Sequence, residues 1–271
     1  MRSQEQWQLA GTAPEVYARY LVPAIFGPWA PVLNDLVAPQ PGERVLDVAC
    51  GPGVVARVAA ERVGATGQVI GLDLNPGMLA VARALPPPVG APVMWQEGRA
   101  DALPFPEASF DLVFCQLGLQ YFPDRPAALQ EMSRVLRLDG RIALMVWRPI
   151  EYSPGFALLA EALAQHVSAE AATMMRAPFA LGEAEALRSL LMEAAFRDVE
   201  VRPATEMVRF PSPADFVRWQ VAGSPLAGPV AHASEHAREA LLDHMSAVLQ
   251  SYTGAEGLVF PIEAHVARAR K

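Results

Sequence analysis

Arg44-Val-Leu-Asp-Val-Ala-Cys-Gly-Pro-Gly53, running directly into Val54-Val-Ala-Arg-Val-Ala-Ala-Glu-Arg-Val63, is the stretch that decides the fold of this chain. An apolar run with an acid near its end passes into glycines and then into a helical pattern, the order of strand, tight turn and helix. Parallel strands buried on both faces are rich in Val and Leu, and glycines let a ligand approach the backbone. A helix that starts there points free N–H groups and a positive dipole end at that ligand. A second strand, Gln68-Val-Ile-Gly-Leu-Asp73, ends in an acid about 20 residues beyond Gly53. A glycine turn followed at that distance by a carboxylate is an arrangement that reads a nucleotide and its ribose.

Bulk composition narrows the function classes. With 271 residues, 52% of them hydrophobic and 19% charged, the chain has the makings of a folded core with a cap. No run approaches the roughly 20 apolar residues of a membrane span, and the polar Met1–Trp7 start lacks a signal-peptide core. A cytoplasmic protein without a membrane span is expected. The net charge of −7 argues against a nucleic-acid partner. Cys50 and Cys115 are too few for a disulfide framework or a cysteine zinc site. Lys271 is the only lysine, which removes Walker-type phosphoryl transfer and internal Schiff-base chemistry.

Outward from the opening stretch, strand and helix signals alternate over residues 44–147. Strands are expected at 44–49, 68–73, 92–97, 110–115 and 141–147, with helices at 54–63, 76–85 and 126–137. Asn75-Pro76 and Asp124 have the chemistry of helix starts, and Gly64 that of a helix end. Strands separated by helices imply a parallel sheet. In such a sheet ligands sit beyond the strands' carboxyl ends, where Asp47, Asp73, Asp101 and the Cys115-Gln116 pair all fall. Upstream, Thr12 with Glu15 has the pattern of a capping box, and a broken helix carries Tyr17 and Tyr20. Downstream, residues 155–195 and about 229–251 read as helical, with strands at 196–202 and 258–266.

These residues resemble the class I S-adenosylmethionine-dependent methyltransferases. The likeness is carried by Asp47-Val-Ala-Cys-Gly51-Pro-Gly53, by Asp73-Leu74, by Gly98-Arg-Ala-Asp101-Ala-Leu-Pro-Phe-Pro-Glu-Ala-Ser-Phe-Asp111 and by Val135-Leu-Arg-Leu-Asp-Gly140. Ala49 stands where the family has its first glycine. Within the family the chain is most similar to small-molecule enzymes related to ubiquinone and menaquinone C-methyltransferases. The resemblance implies an α/β fold, a Rossmann-like seven-stranded, mostly parallel sheet with helices on both faces and a helical cap. It divides the chain into an N-terminal flap (1–39), a cofactor-binding core (40–148), cap insertions enclosing strand 196–202 (149–257), and a last strand with its tail (258–271).

What the resemblance implies about the site is specific. S-adenosylmethionine would lie against Ala49, Gly51 and Gly53, with Asp47 positioning the turn and the cofactor's ammonium group. Asp73 would accept both ribose hydroxyls, and Leu74 and Met78 would pack on the adenine. Asp101 would hold the adenine amino group, the Ala102 N–H a ring nitrogen, and Gln116 would lie near the sulfonium-bearing chain. Tyr17, Tyr20, Tyr121 and Phe122 are candidates to face the sulfonium, and His166 or Tyr121 to act as general base. Phe156, Met174, Met175, Phe179, Phe216, Trp219 and Leu226 suggest an apolar acceptor cavity or the packing of the cap. The expected activity is O- or C-methylation of a hydrophobic or aromatic small molecule, of natural-product or quinone type.

Other readings compete. Gly51-Pro-Gly53-Val-Val-Ala56 also satisfies G-x-G-x-x-A, the fingerprint of NAD(P)-dependent oxidoreductases. Against that, Asp47 would set a negative charge close to a pyrophosphate. His232-Ala-Ser-Glu-His236 matches a zinc-peptidase pattern, but a charged helix face explains it and no third ligand is in sight; no metal is expected. A descendant of the fold that binds the cofactor without transferring methyl groups is the remaining alternative.

Overall fold

Residues 8–271 are described by the computed structural model of the chain, so the polar Met1–Trp7 start of the expected flap lies outside the described residues. The strands are β1 (Arg44–Val48), β2 (Gln68–Asp73), β3 (Val93–Glu97), β4 (Phe110–Gln116), β5 (Leu136–Trp147), β6 (Arg197–Phe210), β7 (Thr253–Gly254) and β8 (Gly257–Arg270). They form one sheet in the order β3-β2-β1-β4-β5-β8-β6, with the short β7 paired to β8. The first five strands pair in parallel, while β8 runs antiparallel to β5, β6 and β7. The sheet is therefore eight-stranded, one more than expected, because the turn before β8 pairs back on it through Thr253 and Leu258.

Both faces of the sheet are buried. Along β1, Val45 enters one core and Leu46 and Val48 the other, as the alternation of a strand requires. Helix Val54–Val63 covers the first face, burying Val55, Ala56, Ala59, Ala60 and Val63. Helices Arg125–Val135 and Ala184–Glu193 cover the second. Chain order reverses between β1 and β4: β2 and β3 extend to one side of β1, β4 and β5 to the other. That reversal opens a crevice beyond the carboxyl ends of β1 and β4, the place where open α/β sheets take their ligands.

Helix punctuation follows the sequence closely. The Asn75 side chain accepts from the Gly77 and Met78 N–H groups, Asp124 accepts from Ala127, and Gly64 ends the helix that Gly53 begins. Several boundaries differ from expectation, among them β5, which starts at Leu136 where the helix was expected to continue. Thr12 makes no side-chain cap, and the segment after it is a short α-turn, Ala13–Val16, continuing as a π-helix over Tyr17–Phe26. Pro23 sits inside that wide helix, which closes with Gly27 N–H donating to Val22 C=O at 2.6 Å. β6 and β8 both run longer than expected, 14 residues each, and pair over twelve registered positions, so Pro261 lies in a long hairpin-like ribbon where β8 has β6 on one side and no β5 on the other. The helix expected at 229–251 is two helices, Ala227–His232 and Glu235–Val248, split where Ser234 caps the second. His232 and His236 consequently do not share one helix face.

The glycines of the first turn have different jobs. Gly51 has φ +55° and open space where a Cβ would point. Gly53, at φ +88°, would put a Cβ 2.1 Å from Trp95 Cη2, and Gly71 in β2 would put one 2.5 Å from Cζ3 of the same indole. Trp95 thus lies in a slot that two glycines vacate, with Arg57 stacked 5.5 Å from its ring. Gly53→Ala combines left-handed strain with this clash and is expected to destabilise the fold by about 2–4 kcal/mol. Thermal melts check it: the Gly53→Ala/Trp95→Ala double variant should lose less than the sum of the singles, because the clash is counted in only one of them.

Candidate functional site

Three strand ends and a roof of helices build the site. The turn after β1 places Ala49 and Gly51 at the crevice, the end of β2 supplies Asp73 and Leu74, and the end of β4 supplies Gln116. Above them the π-helix contributes Tyr17, Leu21, Ile25 and Phe26, and the cap contributes Phe156, Met174, Met175, Phe179, Gln220 and Leu226. They enclose a cavity of about 250 Å³. A second compartment of about 40 Å³ adjoins it, sharing Tyr17, Phe26, Ala49, Gly51 and Gln116 and adding Asp47 and Cys50.

The turn itself is held by carboxylates. Asp73 accepts from Gly51 N–H through Oδ2 and from Asn75 N–H through Oδ1, each at 2.8 Å. Asp47 accepts from Ala56 N–H at 3.0 Å through Oδ2, on the first turn of the helix. Ala49 adopts φ +59°, the left-handed conformation that a glycine would take without a penalty of roughly 1–2 kcal/mol. The turn that the family builds with glycine is thus retained here with a side chain. Asn75 also ties down the roof, its Nδ2 donating to Leu9 C=O at 3.0 Å.

Electrostatics single out Asp47. It is 1% exposed, and burial pushes its carboxyl from 3.8 up to about 8, opposed by the Ala56 N–H and assisted by nearby Asp73. Its Oδ1 has no partner, and neither does Oε1 of Gln116, whose Nε2 donates to Phe26 C=O at 3.0 Å. Asp47 and Gln116 both line the 40 Å³ compartment, and each keeps one oxygen without a hydrogen-bond partner. Asp73 is also raised by burial, which the N–H groups of Asn75, Gly51 and Leu74 oppose.

The structure brings most of the sequence-selected residues together. Tyr17, Ala49, Gly51, Asp73, Leu74, Met78, Gln116 and Tyr121 line the main cavity, and Asp47 lines the smaller one. Five do not arrive. Gly53 faces Trp95 instead of either cavity. Tyr20 stacks on Trp219 at 4.3 Å, because the π-helix turns it to the other side of Tyr17. Asp101 is clamped by Arg99 at 2.9 and 2.7 Å, which holds its carboxyl below the ordinary range. The Ala102 N–H turns back to Arg99 C=O, while Gly98 and Ala100 reach the cavity in their place. His166 pairs with His244 at 2.9 Å between two cap helices, away from the cavity.

Tyr121 reaches the cavity, but burial lifts its hydroxyl to about 12. Tyr17 is raised too, first by burial and then by Tyr121 and Asp73. Burial thus makes both phenols weaker acids, which speaks against the general-base role expected of His166 or Tyr121 falling to Tyr121. Asp73 enters the site already accepting from the backbone N–H groups of Gly51, Asn75 and Leu74, which leaves only part of its acceptor capacity for a ligand. Of the cap residues, Phe216 and Trp219 pack elsewhere: Phe216 meets Phe156, Phe210 and Phe260, and Trp219 meets Tyr20 and Phe210. Gln220 was not foreseen, although a glutamine on the apolar face with Phe216 and Val217 was a visible signal.

Residues 46–144 match the family described as methyltransferase domain. This part of the chain is a methyltransferase domain. The chain is 42% identical over 129 residues to 2-phytyl-1,4-naphtoquinone methyltransferase of Synechococcus elongatus, covering 46% of this chain and 54% of that protein. It is 43% identical over 121 residues to nocamycin O-methyltransferase of Saccharothrix syringae, covering 44% and 43%. The chain thus spans about half the length of these relatives. A solved structure of Haemonchus contortus phosphoethanolamine N-methyltransferase 2, bound to phosphomonomethylethanolamine and S-adenosylhomocysteine, superposes with a TM-score of 0.56 at 21% identity. That match covers 91% of this chain and 52% of the other and shows a shared fold. No helix of the described residues is long and apolar enough to cross a membrane.

The raised carboxyl of Asp47 has a signed consequence for the ligand-free protein. An unfolded Asp ionises near 3.8 while the folded one stays protonated up to about 8. The folded state therefore binds the extra proton across that window, and the stabilisation this gives is complete at low pH and lost as pH rises towards 8. Asp47→Asn should flatten this fall and make the ligand-free protein more stable than wild type at pH 8. Denaturant midpoints across pH 5–9 are the check, and parallel curves for the two proteins would contradict it.

Proposed function

We propose that this protein transfers a methyl group from S-adenosylmethionine to an oxygen or carbon of a hydrophobic or aromatic small molecule in the cytoplasm. The observation that carries the reading is the pair of unpartnered acceptors, Asp47 Oδ1 and Gln116 Oε1, beside a glycine-bearing turn that opens into a larger apolar cavity. A primary ammonium satisfies both acceptors, and the open position at Gly51 leaves room for backbone approach. When bound, S-adenosylmethionine supplies an electrophilic methyl group on a sulfonium centre. The relatives that methylate a naphthoquinone and nocamycin support a small-molecule acceptor, and the net charge of −7 speaks against nucleic acid.

The chain's own contribution is recognition, orientation and exclusion of water. Asp47 and Gln116 hold the amino-acid end. Asp73 offers its remaining acceptor capacity to ribose hydroxyls, and Leu74 and Met78 offer apolar surface to the base. Tyr17, stacked on Phe26 at 4.7 Å, presents a ring at the junction of the two compartments, where a cation can lie against its π face. Phe156, Phe179 and Trp147 wall the acceptor end. Fixing both reactants there supplies the orientation on which a direct displacement depends. The oxidoreductase alternative loses its physical basis at Gly53, whose vacant side-chain position holds an indole instead of admitting a pyrophosphate.

Calorimetry tests the reading directly. S-adenosylhomocysteine should bind saturably and NAD(H) should not. Because Asp47 titrates at about 8 when unpaired, an arriving ammonium group should ionise it and release about one proton at pH 7. The release is read from heats in buffers of different ionisation enthalpy. Asp47→Asn should abolish it and weaken binding by roughly tenfold or more, the usual cost of a lost charged hydrogen bond. Absence of S-adenosylhomocysteine binding would sink the proposal.

A further inference from the structure

The acceptor end of the cavity contains a polar group that nothing so far employs. Gln220 lines it from helix Pro213–Ala222 and is 8% exposed, yet its Oε1 accepts no hydrogen bond. The helix that carries it is pressed onto the π-helix: a Cβ on Gly223, one turn along, would lie 2.8 Å from Leu21 Cδ1. The helix is thus packed closely against the roof of the cavity, and the Gln220 side chain is nine-tenths buried. A leucine or methionine of similar size would pack among Phe156, Met175, Phe179 and Leu226 without an unsatisfied carbonyl. An amide offers one acceptor and two donors, and the group complementary to it is a hydroxyl, which both donates and accepts. Ethers and quinone carbonyls only accept, so they leave Oε1 unsatisfied. The surrounding rings of Tyr17, Trp147, Phe156 and Phe179 suit a flat apolar body attached to that hydroxyl.

We propose that the Gln220 amide hydrogen-bonds a hydroxyl of the methyl acceptor, so that the cavity selects phenols and hydroquinones over the corresponding ethers and quinones. This deepens the methyltransferase reading and rests on it for the identity of the occupant as acceptor. Gln220 is a specificity-determining residue here and takes no proton.

The test uses the full chain saturated with S-adenosylhomocysteine and titrated by calorimetry with 2-naphthol and 2-methoxynaphthalene. Wild type should bind 2-naphthol about tenfold more tightly, the worth of one buried hydrogen bond against an unpaired acceptor. Gln220→Leu should bring the two affinities together by weakening 2-naphthol, while leaving S-adenosylhomocysteine affinity unchanged. Gln220→Met serves the same purpose should the leucine variant fold poorly. Equal affinities in wild type, a preference that survives both substitutions, or no binding of either naphthalene would each overturn the proposal. Failure of S-adenosylhomocysteine to bind counts against the methyltransferase reading instead, because the naphthol preference and its loss are measurable without it.

Discussion

The bond from Gly51 N–H to Asp73 Oδ2 joins the turn after β1 to the end of β2, and the geometry of the crevice depends on it. The same carboxylate takes the Asn75 N–H, and Asn75 in turn caps the next helix and holds Leu9 in the roof. On the other side of the turn, Asp47 takes the Ala56 N–H and fixes the start of helix Val54–Val63. Two acids, Asp47 buried and Asp73 partly so, thus set the backbone at the mouth of the crevice. Burial raises the carboxyls of both.

Around this frame the cavity is divided by chemistry. Its lower part is made by strand ends, where backbone groups, two acids and Gln116 gather because a parallel sheet delivers every carboxyl end to one edge. Its upper part is made by the π-helix and the cap, which contribute mostly rings and thioethers. The matched methyltransferase domain covers residues 46–144, and so includes the polar lower part but not the roof. Phe156, Gln220 and their neighbours line the cavity from outside that domain.

Much of this was legible in the chain because local rules carried it. The alternation of apolar strands with helices, the caps at Asn75 and Asp124, and the acids at strand ends are short-range signals, and the structure places Asp47, Gly51, Asp73 and Gln116 together at one crevice. The misreadings share a cause. Gly53 looked like a ligand-facing glycine, but Trp95, 42 positions away and brought over by the pairing of β2 with β3, takes the space. Asp101 looked available until Arg99 closed on it. Tyr20 and His166 were selected by residue type, and each is occupied by a partner distant in sequence, Trp219 and His244.

The sequence by itself determined the parallel sheet, its switch point and the acid-and-glycine turn, since strand periodicity, capping and glycine conformations are properties of neighbouring residues. Only the tertiary structure decided which side chains the crevice receives. Burial pushed the carboxyl of Asp47 up to about 8 and the hydroxyl of Tyr121 up to about 12. It also left Gln220 without a partner in an apolar roof. Each of these results depends on desolvation and on contacts between segments far apart in the chain, and no local pattern encodes either.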